Sequence, residues 1–111
     1  MAVTAMSVRR LQDGELFYLV VDVIIENVNR NDPVPYDSQY FGLQDSDGNW
    51  YYEAPEFAPE PSLTVGLLAR GDSERGNVAF EITSEARGFV LTYDLTSPDG
   101  DYEVIQIDLG Q

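Results

Sequence analysis

The chain contains no cysteine, no histidine and no lysine among its 111 residues. Lack of cysteine excludes disulfide bonds. Lack of both cysteine and histidine excludes Cys/His zinc sites, haem ligation through either side chain, and thiolate or imidazole catalysis. Without histidine there is no base for a Ser-His-Asp triad, and without lysine there is no Ser-Lys pair. Catalysis would have to rest on carboxylates alone, so we expect that the protein is not an enzyme.

Basic side chains are scarce, because six arginines stand against twenty acidic residues and the formal net charge is -14. A surface of this sign repels nucleic acid and anionic membranes, so we predict neither as a partner. It favours cations, basic partners or concentrated salt, in which the repulsion is screened. An acidic surface without lysine is typical of halophilic proteins. The alternative is a GC-rich genome that favours arginine, together with an acidic surface that aids solubility.

Long hydrophobic runs are missing as well. The longest, residues 16–21, is far shorter than the roughly twenty residues of a membrane helix, so we predict no membrane insertion by this segment. Residues 1–10 contain no apolar signal core. If the protein is exported, we therefore expect its signal or anchor to lie outside this chain. The length fits one domain over residues 1–111.

Turn signals recur along the chain, and the apolar residues between them alternate with period two. In residues 16–28 every odd position from Phe17 to Ile25 is apolar, which predicts a central strand with one face in the core. In residues 77–83 the alternation places Val78 and Phe80 inward and Ala79 outward. The predicted strands are residues 3–11, 16–28, 40–44, 50–53, 63–68, 77–83, 89–95 and 102–109. Such a set predicts an all-β antiparallel sandwich of about seven to eight strands.

Segments rich in proline, glycine and acidic residues separate these strands. Residues 29–37 contain two prolines within three positions, which a central strand does not accept, so we predict a loop there. Residues 54–62 hold three prolines and are predicted to form an extended surface loop. Residues 45–49 (DSDGN) predict a tight hairpin in which Gly48 supplies the positive φ.

Four blocks of this sequence, in this order, resemble those of the DUF4352 family. They are FYLVVDVIIENVNRNDPVPYD, YFGLQDSDGNWY, LLARGDSERGNVAFEI and FVLTYD, and together they cover roughly residues 8–95. The resemblance implies an immunoglobulin-like β-sandwich, similar in fold to secreted mycobacterial antigens. It also implies an exported bacterial or archaeal protein, often lipid- or membrane-anchored, and it offers no catalytic motif to carry over. The chain departs from the family in lacking a lipid-attachment cysteine and in its acidity.

Acidic turns raise the question of a calcium site. Oxygen side chains cluster in two predicted turns, and calcium takes six to eight oxygen ligands. The EF-hand pattern fails because Gly48 lies at the fourth position of its turn instead of the sixth. The alternative is that these residues simply form hairpins. The candidate metal ligands are Asp45, Asp47, Asn49, Asp99 and Asp101.

Aromatic side chains form the best candidate for a partner-binding surface. Trp50, Tyr51 and Tyr52 are consecutive, so in a strand Trp50 and Tyr52 share one face and Tyr51 points to the other. Tyr36 and Phe57 lie in neighbouring predicted loops. Exposed, this set would bind a protein or a glycan. The alternative is that one face is core and the other covers the sheet through cross-strand pairs.

These observations predict a non-enzymatic, extracytoplasmic interaction or structural module, secreted or anchored at the cell surface, without excluding a cytoplasmic location. No cofactor other than calcium is predicted. The alternative function is a calcium- or small-ligand-binding domain that uses its acidic loops, and a weaker one is catalysis by carboxylates. Self-association through an open edge strand is a further possibility that the fold class offers.

Overall fold

Antiparallel strands build the described part of the chain, which comprises residues 1–28, 30–96 and 102–111 of a computed structural model. Two short 3₁₀ turns, Ser38–Tyr40 and Pro55–Phe57, are the only helical elements within these ranges. No helix in this part of the chain is both long and apolar enough to span a membrane. The strands within these ranges are β1 (Ala2–Asp13), β2 (Leu16–Glu26), β3 (Val34–Asp37), β4 (Phe41–Gln44), β5 (Trp50–Tyr52), β6 (Val65–Leu68), β7 (Ser73–Ile82), β8 (Val90–Thr96) and β9 (Tyr102–Asp108).

The first sheet has the order β1-β2-β7, with β2 at its centre. On the odd face of β2, Leu19, Val21, Val23 and Ile25 are fully buried, as the period-two pattern predicts. Their β-branched and leucine side chains suit a pleated, packed surface and disfavour a helix. This face supplies one wall of the core.

The second sheet has the order β5-β4-β8-β9, and β3 pairs with β6 beside it. Phe41 and Leu43 of β4 and Leu91 and Tyr93 of β8 are buried and belong to the same apolar cluster as the odd face of β2. Two sheets that bury their apolar faces against each other form a sandwich. The predicted all-β, immunoglobulin-like class is therefore confirmed.

The two edges of the first sheet differ. Along β1 the pairing with β2 is interrupted by a bulge at Met6. Along β7 the edge is covered by the polypeptide that follows β5, since the amide of Ala54 donates to the carbonyl of Ala79 at 2.8 Å. Farther along, the amide of Leu63 donates to the carbonyl of Asn77 at 3.0 Å. Neither edge presents an uninterrupted row of unpaired backbone groups.

Residues 54–62 form a surface segment, as the sequence predicted, and part of this segment packs on the outer face of the first sheet. The ring of Phe57 lies 4.3 Å from that of Tyr18, centroid to centroid, and the turn Pro55–Phe57 packs against β7. Tyr18, Val20 and Ala79 on this face are consequently buried. Ala79 lies on the outer face, as the alternation predicts, but it is buried there, because period two indicates which face a residue occupies and not what covers that face.

Residues 34–37 form a strand, so the prediction of a loop over residues 29–37 was wrong at its C-terminal end. β3 pairs only with β6, and Pro35 lies opposite Leu67 in that ladder. A proline is accepted there because β3 belongs to a two-stranded ribbon rather than to the middle of a sheet. The prolines exclude a central strand, and the observed strand is not one.

Asn27 directly follows β2 and holds it to segments farther along the chain. Its side-chain amide donates to the carbonyl of Leu68 at 3.0 Å and to that of Arg30 at 3.2 Å, and its side-chain oxygen accepts from the amide of Arg30 at 3.1 Å. The side chain is fully buried. A buried amide with its donors and acceptor satisfied joins β2 to the β3-β6 ribbon.

Candidate functional site

The β4–β5 hairpin is organised by the carboxylate of Asp45. Its Oδ1 accepts from the backbone amides of Asp47 and Asn49, both at 2.9 Å. Its Oδ2 accepts from Asn49 Nδ2 at 3.1 Å and from Tyr51 Oη at 2.8 Å. Gly48 has a φ of 91°, as the turn predicted from the sequence requires. The acidic turn is thus a hairpin held by one carboxylate.

The electrostatics of Asp45 follow from these contacts. Burial raises the pKa of its carboxyl, but the hydrogen bonds from Tyr51, Asn49 and the amide of Asp47 outweigh that effect and leave the pKa below its usual value. A carboxylate offers about four lone-pair positions, and the four donors of the hairpin occupy them. The hydrogen-bonding capacity of the Asp45 carboxylate is therefore used within the turn.

The predicted calcium ligands are brought together only in part. Asp47 and Asn49 are exposed beside Asp45, whereas Asp99 and Asp101 lie outside the described residues. Within residues 1–28, 30–96 and 102–111, no three acidic side chains converge as a metal site would require. The calcium site stays a prediction.

The aromatic residues of β5 divide between the two faces, as predicted. Trp50 is 50% exposed and Tyr52 80% exposed on the outer face of the second sheet. Tyr51 points inward, where its ring packs edge-on against Phe89 at 6.1 Å. Large exposed aromatic side chains on one sheet face are typical of a contact surface.

A trough of about 360 Å³ runs beside these two side chains. Gly42 forms its floor, because it pairs with Tyr52 on one side and Thr92 on the other and has no side chain of its own. The indole of Trp50 reaches over Gly42, where an added Cβ would lie 3.6 Å from the ring. Gln39, Tyr40, Phe41, Gly42, Trp50, Tyr52, Thr92 and Asp94 line the trough.

Thr92 is a lining residue of this trough, but its hydroxyl oxygen is buried. The residue is only 5% exposed, and its Oγ1 has no hydrogen-bond partner among the described residues. Buried hydroxyls normally have a partner, and leaving one unpaired costs free energy. The trough therefore has an apolar, aromatic wall and the carboxylate of Asp94 at its side, while the oxygen of the Thr92 hydroxyl is itself buried.

A second depression of about 250 Å³ adjoins the first and shares Gln39, Phe41 and Tyr52 with it. It adds Glu53 and Pro55. Burial raises the pKa of the Glu53 carboxyl; a hydrogen bond with Ser38 lowers it, and the nearby charges of Asp37 and Glu56 raise it further. Each depression thus contains one carboxylate, and the exposed ring of Tyr52 stands between them.

Tyr36 and Phe57, the other predicted partner-binding residues, line neither depression. Tyr36 is 7% exposed, and its ring lies against Gly66, its partner in the β3-β6 ladder. Phe57 is stacked on Tyr18 across the first sheet. Of the predicted partner-binding residues, only Trp50 and Tyr52 border the depressions.

Sequence reasoning missed Gln39, Gly42, Thr92 and Asp94 as parts of this site. One signal was available, because a glycine inside a strand pattern marks a place where a ligand or another chain approaches closely. Thr92 and Asp94 carry no such signal. They reach the trough through the register of β4 with β8, and that register cannot be derived from either strand alone.

The paired sheets and the trough define the class of protein: an immunoglobulin-like β-sandwich with a small lined depression on the outer face of one sheet. The chain belongs to the DUF4352 family, described as a domain of unknown function, whose model matches residues 2–104. The resemblance inferred from the four sequence blocks is thereby confirmed. Among curated proteins, none matches the chain.

Solved structures share the fold. The YjhA protein of Bacillus subtilis superposes with a TM-score of 0.75 at 19% identity, covering 96% of this chain and 89% of its own. YcdA of Bacillus subtilis, titled a candidate lipoprotein, gives 0.71 at 22% identity and covers 96% of this chain but 35% of its own. A Listeria monocytogenes protein described as functionally unknown gives 0.63 at 12% identity, with 85% and 59% covered.

Proposed function

We propose that this domain is a non-enzymatic, extracytoplasmic interaction module that binds its partner on the outer face of the second sheet. One observation carries the proposal: Trp50 and Tyr52 remain 50% and 80% exposed on a sheet face. They border a trough that also has the carboxylate residue Asp94 in its lining. Aromatic side chains of this kind contribute large contact areas in binding interfaces.

The extracytoplasmic part of the proposal rests on family and composition. YcdA, with which the chain shares its fold, is titled a candidate lipoprotein. A net charge of -14 without lysine suits a salt-rich milieu, and the halophilic interpretation belongs to the same proposal. Protease added to intact cells of the source organism should degrade the domain without lysis. Protection until lysis would contradict an exposed location.

The non-enzymatic part rests on residue types. Histidine, cysteine and lysine, which serve most often as bases and nucleophiles, do not occur in the sequence. The trough and the adjoining depression each have one carboxylate among their lining residues, with the ring of Tyr52 between them, whereas glycoside hydrolysis generally needs a pair that flanks one bond. The residues available suit recognition better than bond cleavage.

The proposal is tested by capture with purified protein as bait. Wild type, Trp50→Ala/Tyr52→Ala and Val65→Ala/Leu67→Ala would be compared on envelope extract of the source organism. Val65 and Leu67 are each 68% exposed on β6 and line neither depression, so the second variant controls for lost apolar surface. A partner lost only with the first variant supports the proposal. Identical capture by all three baits would contradict it.

A further inference from the structure

We propose that the partner presents cationic groups: a basic segment of a protein that places one arginine or lysine side chain in the trough and a second in the adjoining depression. The inference rests on the proposed function and adds the chemistry of the ligand. It is carried by the charges and the aromatic rings that the two depressions bring together.

The charges of the lining residues have one sign. Asp94 lies at the trough and Glu53 at the adjoining depression, and no basic side chain of the described residues lines either. Asp37 and Glu56 place further negative charge near Glu53. The whole chain carries -14, so a basic segment would be attracted from a distance while an acidic one would be repelled.

The aromatic rings suit the same ligand. A guanidinium or ammonium group over the face of a Trp or Tyr ring gains a cation–π interaction, and arginine also stacks with its plane. Trp50 borders the trough, and Tyr52 borders both depressions. A neutral sugar would also stack on these rings but would gain nothing from the negative field, which is why the observations favour a cation.

The dimensions of the trough agree with this. A volume of about 360 Å³ lies at the small end of ligand pockets and leaves room for a single long side chain. Because the depressions share Tyr52, two basic side chains spaced i and i+2 on an extended segment point to the same side and reach neighbouring positions.

Trp50 is the only tryptophan, so its fluorescence reports directly on the trough. The probe is a blocked glycine-arginine-glycine-arginine-glycine peptide, titrated at constant ionic strength. Its control has both arginines replaced by citrulline, which keeps the shape and removes the charge. We expect a saturable change in Trp50 emission with the arginine peptide and none with the citrulline peptide.

Variants locate the binding. Asp94→Asn should weaken the arginine peptide about tenfold, since a hydrogen-bonded charge is lost, and Glu53→Gln should give an independent loss at the second depression. Tyr52→Ala should weaken binding about two- to fivefold through the lost cation–π contact. Glu74→Gln, on the exposed part of β7, makes the same charge change elsewhere and should leave affinity within about twofold. Unfolding midpoints confirm that each variant is folded.

Several outcomes would overturn the inference. Equal binding of the arginine and citrulline peptides would show that positive charge does not contribute to binding. Equal weakening by Asp94→Asn and Glu74→Gln would mean attraction by net charge without a site. If neither peptide binds while capture of the partner still depends on Trp50 and Tyr52, or if a neutral oligosaccharide changes Trp50 emission instead, the cationic ligand is wrong and the interaction module stands.

Discussion

The hydroxyl of Tyr51 donates a 2.8 Å hydrogen bond to Oδ2 of Asp45, so a side chain of β5 fastens the turn that leads into that strand. Tyr51→Phe removes this donor and leaves the carboxylate with one partner fewer. We expect a loss of about 1 kcal/mol in the free energy of unfolding, as for a typical hydrogen bond. Urea titration measures it.

Tyr52→Phe is the matched control for Tyr51→Phe, because it removes the same hydroxyl from the neighbouring, 80% exposed side chain. It should change the free energy of unfolding by less than about 0.5 kcal/mol. If both variants lose the same amount, the bond to Asp45 does not contribute to stability.

Acid should weaken this hairpin in a predictable direction. The folded-state pKa of Asp45 is lowered, so its contribution is present above the unfolded-state pKa and is lost as pH falls through the folded value. Asp45→Asn should therefore be less stable than wild type at neutral pH, with a smaller difference at the acid end. Urea midpoints measured between pH 7 and pH 2 give the stability curves of wild type and of Asp45→Asn. Asp47→Asn makes the same charge change in the same turn and is the control. Parallel curves for Asp45→Asn and wild type would refute the linkage.

Gly76 allows a close crossing of two backbones. A Cβ added there would lie 2.5 Å from the amide nitrogen and 2.6 Å from the Cα of Leu63, so the polypeptide that covers the edge of β7 would have to move. Gly76→Ala should cost about 1–3 kcal/mol in stability, as overpacking does. Chemical denaturation measures it, and Glu74→Ala two residues earlier is the control. A neutral Gly76→Ala would mean that residues 61–63 shift freely.

Sodium chloride should raise the unfolding temperature. The radius of gyration is 14.0 Å, so at the roughly 30 Å Debye length of about 0.01 M salt the negative charges repel one another across the whole domain. At about 1 M salt the screening length falls to about 3 Å and this repulsion disappears. Scanning calorimetry measures the midpoints, and neutralising three exposed acids, Glu74, Glu81 and Glu85, should reduce the gain. A midpoint that is independent of salt would contradict the halophilic interpretation.

The effect of calcium on the unfolding temperature can be measured by the same calorimetry. Millimolar calcium chloride is compared with sodium chloride of equal ionic strength. A rise with calcium alone would support the predicted ion site of the acidic turns. Equal midpoints would leave the Asp45 carboxylate with the hairpin role that its four hydrogen bonds describe.

Much of the fold follows from local pattern. The alternation around Val21 and Phe80 predicted the buried faces of β2 and β7, since period two depends only on backbone geometry. The position of residues 54–62 could not be predicted, because nothing local says that Phe57 will meet Tyr18. A ladder such as β3 with β6 likewise requires a partner thirty residues distant, and proline patterns indicate only which strands are not central.

The candidate site could likewise be predicted only in part. Alternation within β5 predicted that Trp50 and Tyr52 share a face, and the structure confirms this. It could not predict that Tyr36 would be buried, since its exposure depends on Gly66 in another strand. The trough itself exists because Gly42 lies in register between Tyr52 and Thr92, a property of three strands together.

The bulge at Met6 has a consequence for how copies of the domain behave at high salt. Copies of an acidic protein normally keep apart by charge, but molar salt removes that protection and leaves exposed strand edges free to stack into fibrils. An irregular outer strand is a poor template for a neighbour, and this geometric obstacle does not depend on ions. With the β7 side already covered by residues 53–54 and 61–63, the first sheet should resist polymerisation even where electrostatic repulsion fails.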